Sequence, residues 1–369
     1  MNSTLKRVST ALLASAALAS CEPGPAGLFS MLEKEELVHR GTEILNANTA
    51  VFVALFEGHY YTAVGSRLLR RPAAGGAWES VPVPLAPAGS IISSGVVHVG
   101  YLYISYAPAE QSVFRLAGGA WSAFTSGLPA GPVQSLLYDG TNLFAASQVP
   151  SGVQETLYTI THSTGTADWA ATGVVGVASG RPSSAVLEGG TTWIAAGNVV
   201  FTGTPGSLTQ WAHAAAADID AANPVFGLAV DGTTVLAAGT GSVLSLTAGG
   251  FVRSGSFGDG RRLSSIIVVP KNGGGEATLV GVQSWAGDEY TGYFEYDAAL
   301  NDPFVPGLVP SVEHSMVTDA VNYVTTLGEL SVVGFYYDAT NTTLFARTAP
   351  GGLWSNHWDG TTWSGWNRE

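Results

Sequence analysis

The feature that most constrains the fold is a hairpin pattern that recurs along the chain. In its three clearest copies, two apolar runs flank a turn with Asp-Gly or Gly-Gly at its centre, over 136–146, 186–196 and 228–238. Two weaker copies lie at 56–61 and 97–104. Glycine readily adopts the positive φ angles that tight hairpin turns require. The pattern therefore predicts a chain built from repeated β-hairpins.

A second pattern ends each repeat with a turn that leads into an aromatic residue. These aromatics are spaced by 43, 48, 42 and 40 residues, at Trp78, Trp121, Trp169, Trp211 and Phe251. Each interval holds the hairpin and a third strand, which makes four short strands in 40 to 48 residues. That period is typical of a β-propeller blade. We therefore predict an all-β propeller in which the recurring tryptophans pack between neighbouring blades.

The remaining sequence has room for two larger blades, because 112 residues separate Phe251 from Trp363. Strands of the sixth blade are expected at 263–270, 276–283 and 290–296. Strands of the seventh are expected at 332–338, 343–347, 353–359 and 362–366. The count is therefore about seven four-stranded blades. Eight blades also fit the sequence, because the segment from Val312 to Leu330 is either an insertion, partly helical or an extra strand pair.

The composition agrees with sheets that are buried on both faces. Hydrophobic residues make up 46% of the chain and charged residues only 12%, and the mean hydropathy is +0.23. Blades that stack face to face need few charged positions. The low charge argues against intrinsic disorder and against long coiled coils. The net charge of −13 argues against nucleic acid as a partner, because phosphate backbones repel such a chain.

The N-terminal sequence carries an export pattern. Two basic residues precede an apolar run over 8–20, which is too short to span a membrane as a helix. The run ends in Leu18-Ala19-Ser20-Cys21, and this cysteine is the only one in the chain. The motif resembles the lipobox of bacterial lipoproteins. The resemblance implies that residues 1–20 are a signal peptide and that Cys21 carries a diacylglycerol and an amide-linked acyl chain such as palmitate.

This resemblance also implies a domain layout and a location. Residues 21–48 are expected to form a lipidated N-terminus with a Pro/Gly spacer and a short helix over Met31–Val38. Residues 49–369 are expected to form the propeller. Loss of two basic residues with the signal peptide changes the net charge from −13 to −15. We expect the protein in the bacterial cell envelope, lipid-anchored in the outer membrane, on its periplasmic or surface side.

One loop of the predicted sixth blade is a candidate ligand site. Trp285, Asp288, Glu289 and Tyr290 place aromatic rings beside paired carboxylates, a composition that suits sugars or cationic ligands. The alternative is a polar hairpin loop with one packing tryptophan. The seven histidines show no metal-ligand spacing, and no phosphate-binding loop or nucleophile motif is present in the sequence. We therefore predict no metal, no cofactor and no catalytic residues.

The sequence favours an envelope-anchored, non-catalytic binding or scaffolding lipoprotein with an unknown protein or glycan partner. The alternatives are a glycan-active hydrolase or lyase built on a propeller, and an outer-membrane assembly factor. An enzyme should bring several ionisable side chains together in the central channel. A binding protein should instead present an apolar or aromatic surface patch.

Overall fold

The computed structural model describes strands and turns of the predicted propeller region. The described residues are 45, 49–84, 88–109, 113–148, 155–160, 168–177, 182–211, 224–247, 250–256, 262–283, 292–296, 317–319, 322–324, 327 and 330–369. The strands belong to one compact unit, Ile44–Glu369. No element in these ranges is a helix. The predicted helix at Met31–Val38 and the predicted lipidation site Cys21 lie outside the described residues.

The first three sheets are four-stranded and antiparallel, with strands in chain order. Sheet 1 contains β1 (Val53–Phe56), β2 (His59–Val64), β3 (Arg67–Pro72) and β4 (Glu79–Val81). Sheet 2 contains β5 (Ile91–His98), β6 (Tyr101–Ala107), β7 (Val113–Ala117) and β8 (Ala120–Ala123). Sheet 3 contains β9 (Val133–Tyr138), β10 (Leu143–Gln148), β11 (Glu155–Ile160) and β12 (Ala170–Val177).

The next sheets repeat this arrangement. Sheet 4 contains β13 (Pro182–Glu188), β14 (Thr191–Ala196), β15 (Val199–Thr204) and β16 (Ser207–Gln210). Sheet 5 contains β17 (Val225–Asp231), β18 (Thr234–Gly239), β19 (Ser242–Thr247) and β20 (Gly250–Ser256). Sheet 6 contains β21 (Arg262–Pro270), β22 (Glu276–Gln283) and β23 (Gly292–Tyr296). A separate pair, β24 (Val317–Asp319) and β25 (Asn322–Val324), precedes sheet 7, which contains β26 (Ser331–Asp338), β27 (Thr343–Ala349), β28 (Gly352–His357) and β29 (Asn367–Arg368).

The first strands of the sheets form a ring. Each first strand contacts the first strand of the next sheet, in the order β1, β5, β9, β13, β17, β21 and β26, and β26 returns to β1. The fold is therefore an all-β propeller, as the repeats predict. Among the described residues, six sheets have four strands and sheet 6 has three.

Two details differ from the sequence-based expectation. Seven four-stranded blades were expected, whereas the described residues form six. The last strand of sheet 7 is Asn367–Arg368 rather than 362–366. Trp363 forms only an isolated bridge with Trp358, and the Gly365 N–H donates to the Asn356 side chain rather than to a strand partner. The part of 312–330 that is described contains the strand pair β24–β25, which is one of the three options left open.

Each hydrophobic cluster is shared by two adjacent sheets. Ile194 of β14 packs in a cluster with Phe144 of sheet 3, whereas its neighbour Trp193 packs in a cluster with Leu244 of sheet 5. Successive residues of a strand point to opposite faces. Both faces of sheet 4 are therefore buried, which explains how a chain with so few charged residues can be covered by its own sheets.

Four tryptophans of the second sequence pattern connect sheets 1, 2, 3 and 7 to the preceding sheet, as predicted. Their indole N–H groups donate hydrogen bonds to an oxygen in or just after the preceding sheet of the ring. The pairs are Trp78 to Glu369 Oε2 (2.9 Å), Trp121 to Pro82 O (3.0 Å), Trp169 to Phe124 O (3.0 Å) and Trp363 to Pro270 O (2.8 Å). Trp78, Trp169 and Trp363 are buried, and Trp121 is half-buried. These tryptophans thus pack neighbouring sheets together and hold them in position.

Polar contacts join sheets 7 and 1. Arg71 of β3 donates from Nη2 to Glu369 Oε1 at 2.9 Å, and its Nε lies 2.9 Å from Glu369 Oε2. The Tyr60 hydroxyl donates to Asp338 Oδ2 at 2.7 Å. Among the described residues, sheets 7 and 1 share no strand. Side chains therefore close the ring.

No helix among the described residues is long and apolar enough to cross a membrane.

Candidate functional site

The candidate site is the central channel, which is lined by the first strands of the sheets. Two cavities lie along it, with volumes of about 730 and 610 Å³. The larger is bordered by strands of sheets 4 to 7 and by Tyr138 of sheet 3, and the smaller by first strands of sheets 1 to 4 and of sheet 7. Tyr138 and Tyr336 line both cavities. These volumes are in the range of small-molecule sites in proteins.

A β-bulge at the same register interrupts the first strand of sheets 2 to 7. The residue after the bulge is small in every case: Ser94, Ser135, Ser184, Gly227, Ser265 and Gly334. Bulges change the direction in which a strand presents its side chains. The repeated bulge therefore gives the described channel a wall of small residues.

Serine hydroxyls at these bulges connect adjacent first strands. Ser94 Oγ accepts a hydrogen bond from the Leu136 N–H (3.0 Å) and donates to the Leu136 carbonyl (3.1 Å). Ser184 Oγ makes the same two contacts with Leu228, at 3.0 and 3.5 Å. A hydroxyl that holds a neighbouring backbone in this way stabilises the ring. We therefore interpret these two serines as structural groups rather than as nucleophiles.

An exposed apolar and aromatic patch lies at one mouth of the channel. Val99, in the turn after β5, is 59% exposed and has a φ of 42°. Tyr138, at the end of β9, is 39% exposed, and its hydroxyl donates to the Gly140 carbonyl at 2.6 Å. The His98 ring lies 5.5 Å from the Tyr138 ring, centroid to centroid. We call Val99 and Tyr138 the mouth patch, and His98 lies buried beside them.

The carboxylates at this mouth are engaged by turns and by neighbouring sheets. Asp338 Oδ2 accepts hydrogen bonds from the Tyr60 hydroxyl (2.7 Å) and from Asn341 Nδ2 (2.7 Å). Asp139 Oδ2 accepts one from the Thr192 hydroxyl at 2.7 Å, and its Oδ1 accepts two from backbone N–H groups of its own turn. These contacts give both carboxylates a clear structural role.

Burial of tyrosines in the ring predicts sensitivity to alkali. Removal from water raises the pKa of Tyr336 to about 12, and its hydroxyl accepts a hydrogen bond from the Leu55 N–H at 3.1 Å. A pKa raised in the folded state stabilises the fold below the unfolded-state value of about 10, and this contribution disappears as the pH rises through 12.

Tyr336→Phe should therefore reduce the alkaline sensitivity of the protein. Between pH 10 and 12, its free energy of unfolding should fall less steeply than that of the wild type, by a total on the order of 1–3 kcal/mol. Urea unfolding at pH 8, 10 and 12 measures the difference. Identical pH profiles for the two proteins would contradict the role assigned to this hydroxyl.

The structure does not test the ligand site expected from the sequence. Trp285, Asp288, Glu289 and Tyr290 lie outside the described residues, between β22 and β23. No group of three or more His, Cys, Asp or Glu side chains in the described ranges is arranged to hold a metal ion. The expectation that the protein needs no metal and no cofactor stays a prediction.

Sequence reasoning missed the channel residues that stand out in the structure. Val99 and Tyr138 belong to predicted hairpins, but their exposure at the mouth depends on the closed ring. Arg347, which lines the larger cavity, is the last residue of the strand predicted at 343–347. Aligning the second strands of the repeats could have identified it, because the other sheets have small residues at this register.

Comparisons with known proteins identify the fold only. No protein-family model and no curated protein matches the chain. The extracellular domain of a putative hybrid two-component system from B. thetaiotaomicron is similar, with a TM-score of 0.58 and 13% identity over 83% of this chain and 38% of that one. The corresponding domain of a putative one-component system from the same organism gives 0.56 and 14%, with the same coverage. The chain thus spans 38% of the length of these two proteins.

A third solved structure has nearly the same extent as this chain. YCF48 bound to D1 peptide gives a TM-score of 0.54 and 12% identity, and the match covers 86% of this chain and 95% of that one. At such identities the similarity shows the fold alone. The chain is a β-propeller, and its structural neighbours include extracellular domains of bacterial proteins.

Proposed function

We propose that the chain is an envelope-anchored, non-catalytic binding propeller whose ligand enters at the mouth patch. The observation that supports this most directly is an exposed valine and tyrosine beside a cavity of about 610 Å³. Exposed apolar surface next to a concave cavity is typical of binding sites. The engagement of Asp139 and Asp338 by structural hydrogen bonds favours binding over glycan hydrolysis.

The structural neighbours are compatible with this function. Two of them are extracellular domains of a putative hybrid two-component system and a putative one-component system, and a third, YCF48, is bound to D1 peptide. We propose that this propeller likewise binds a molecule outside the cytoplasm. We also propose that sheet 6 counts as a seventh blade, since β21 completes the ring between β17 and β26. The loop with Trp285, Asp288, Glu289 and Tyr290 is kept as a proposed additional contact.

The anchor is proposed from the lipobox motif that ends in Cys21. Cys21→Ser removes the thiol that would receive the lipid. We expect the variant to leave the membrane fraction and to lose labelling by an alkyne-tagged palmitate analogue. The wild-type protein, expressed in parallel, should retain both. A variant that stays in the membrane fraction to the same extent would refute lipid anchoring.

Binding at the mouth patch can be tested by photocrosslinking in intact cells. A benzoylphenylalanine at Val99 should crosslink to the ligand or partner, because this side chain is exposed at the mouth. The matched control is the same substitution at Ile91, which is 52% exposed at the opposite end of β5. Tyr138→Ala should weaken the Val99 crosslink. Equal crosslinking from both ends of the strand would contradict a site at this mouth.

A further inference from the structure

Arg347 occupies a position that small residues fill elsewhere in the ring. It pairs across β26 and β27 with Gly334, the residue after the bulge. The residues at the same register of the second strand in sheets 2 to 6 are Ser105, Ala146, Ala195, Ala238 and Gly281. A side chain no larger than serine is thus enough to pack this position of a propeller sheet. The guanidinium of Arg347 calls for a separate explanation.

Gly334 provides the space that this guanidinium occupies. A Cβ atom added to Gly334 would lie 1.9 Å from Arg347 Nη2 and 2.5 Å from its Cζ. Most of the other first strands carry serine at the equivalent register. In sheet 7, the long side chain of Arg347 therefore fills the space that Gly334, which has no side chain, leaves on the paired strand.

The charge of Arg347 is only partly compensated. Its Nη1 donates to the carbonyls of Ala50 and Val51 at the start of sheet 1, whereas Nε and Nη2 donate to no described residue. The ion pairs within the described ranges are Arg70–Glu79 and Arg71–Glu369. Burial lowers the pKa of Arg347 to about 10, so the group remains charged at neutral pH. Among the described residues this largely buried charge has no counterion. An uncompensated charge of this kind is costly, and a bound anion would compensate it.

The cavity beside Arg347 is suited to a singly charged organic anion. Its volume is about 730 Å³, and the residues that line it include Ser183, Gln283, Phe226 and Phe335. Among the described residues that line it, none is Asp or Glu, and Arg347 is the one cationic side chain. The net charge of the chain is −13, which disfavours multiply charged anions.

We propose that this cavity binds an organic monocarboxylate with an apolar body, whose carboxylate pairs with the guanidinium of Arg347. Planar, bidentate pairing is the geometry that arginine and carboxylate prefer. The proposal rests on the proposed function, because it assigns a ligand class to the channel. A free acid and the C-terminal residue of a peptide share this carboxylate chemistry.

The test compares acids with their neutral amides on the purified protein. The probes are 3-phenylpropionate, N-acetyl-Gly-Phe, the amide of each and inorganic phosphate, with dissociation constants from ligand-observed NMR. The wild type should bind at least one acid about tenfold or more tightly than its amide, because a hydrogen-bonded charge pair is lost in the amide. Phosphate should bind more weakly than that acid. The acid that binds tighter identifies the source of the carboxylate.

Variants locate the binding group. Arg347→Gln should weaken acid binding about tenfold or more and leave amide binding unchanged. Gly334→Ala, which keeps the charge but displaces the guanidinium, should weaken acid binding as well. The matched control is Arg70→Gln, an equal change of charge on the exposed side of β3, which should bind like the wild type. A melting curve for each variant confirms that it is folded.

The outcomes separate this inference from the proposed function. If an amide binds as tightly as its acid, the carboxylate assignment is overturned while a binding channel remains. If neither acid binds, the assignment is also overturned, and the Val99 crosslink still decides the proposed function. The comparison of acid with amide uses the wild type, so it tests the assignment even if Arg347→Gln proves unstable.

Discussion

Replacing Glu369 with alanine should lower the free energy of unfolding by about 3–5 kcal/mol, because it leaves a buried arginine without its counterion. The Arg71 and Glu369 side chains are only 11% and 9% exposed. The guanidinium also lies over the Tyr60 and Trp78 rings, 5.3 and 5.5 Å from their centroids. These contacts hold Arg71 in place when the carboxylate is removed. Urea unfolding at neutral pH measures the loss.

The neighbouring arginine provides a matched control. Arg70 pairs with Glu79 at 2.7 Å, but these side chains are 39% and 59% exposed. Because water screens an exposed pair, Glu79→Ala should change the free energy of unfolding by about 0–1 kcal/mol. Equal losses for Glu369→Ala and Glu79→Ala would show that closure of the ring does not depend on the buried ion pair.

Trp363→Ala should destabilise the protein by about 3–5 kcal/mol. The side chain is fully buried, and its ring lies 5.3 Å from the Trp358 ring and 6.0 Å from the Tyr337 ring, centroid to centroid. Its indole N–H donates to the Pro270 carbonyl of sheet 6, and Asn272 accepts its backbone N–H. Truncation therefore removes a core side chain and a contact between sheets together.

Two further variants separate these contributions. Trp363→Phe keeps an apolar ring but removes the indole donor, so it should cost less than alanine. Trp121→Ala removes the equivalent indole of sheet 2, which is only half-buried, and should cost about half as much or less. Thermal and urea unfolding of the three variants give the comparison. If Trp121→Ala costs as much as Trp363→Ala, burial does not determine the effect.

Much of the fold could be predicted because the sequence signals for strands and turns are local. The hairpin expected over 136–146 is formed by β9 and β10, and the tryptophans lie between sheets as expected. Turn glycines and strand periodicity act within a few residues, so a single sequence reveals them. The strand predicted at 362–366 was wrong because Gly365, with a φ of 91°, donates its N–H to the Asn356 side chain, and strand periodicity does not report such a contact.

The site could be predicted less well because it depends on distant residues. Arg71 and Glu369 are 298 positions apart, and nothing in the local pattern of either indicates the other. The exposure of Val99 and Tyr138 follows from where their turns lie in the closed ring. The significance of Arg347 becomes visible only when the registers of several sheets are compared with one another.

Each sheet consists of strands that are consecutive in the sequence, and this affects the order in which the chain folds. Nearly every strand pairs with its sequence neighbour, so each sheet can form from a short stretch soon after it is synthesised. The contacts between sheets 7 and 1 instead join residues 278 and 298 positions apart. Loop closure over such a distance is entropically costly. We therefore expect docking of these two sheets to be the last step of folding, and their separation to be the first step of unfolding.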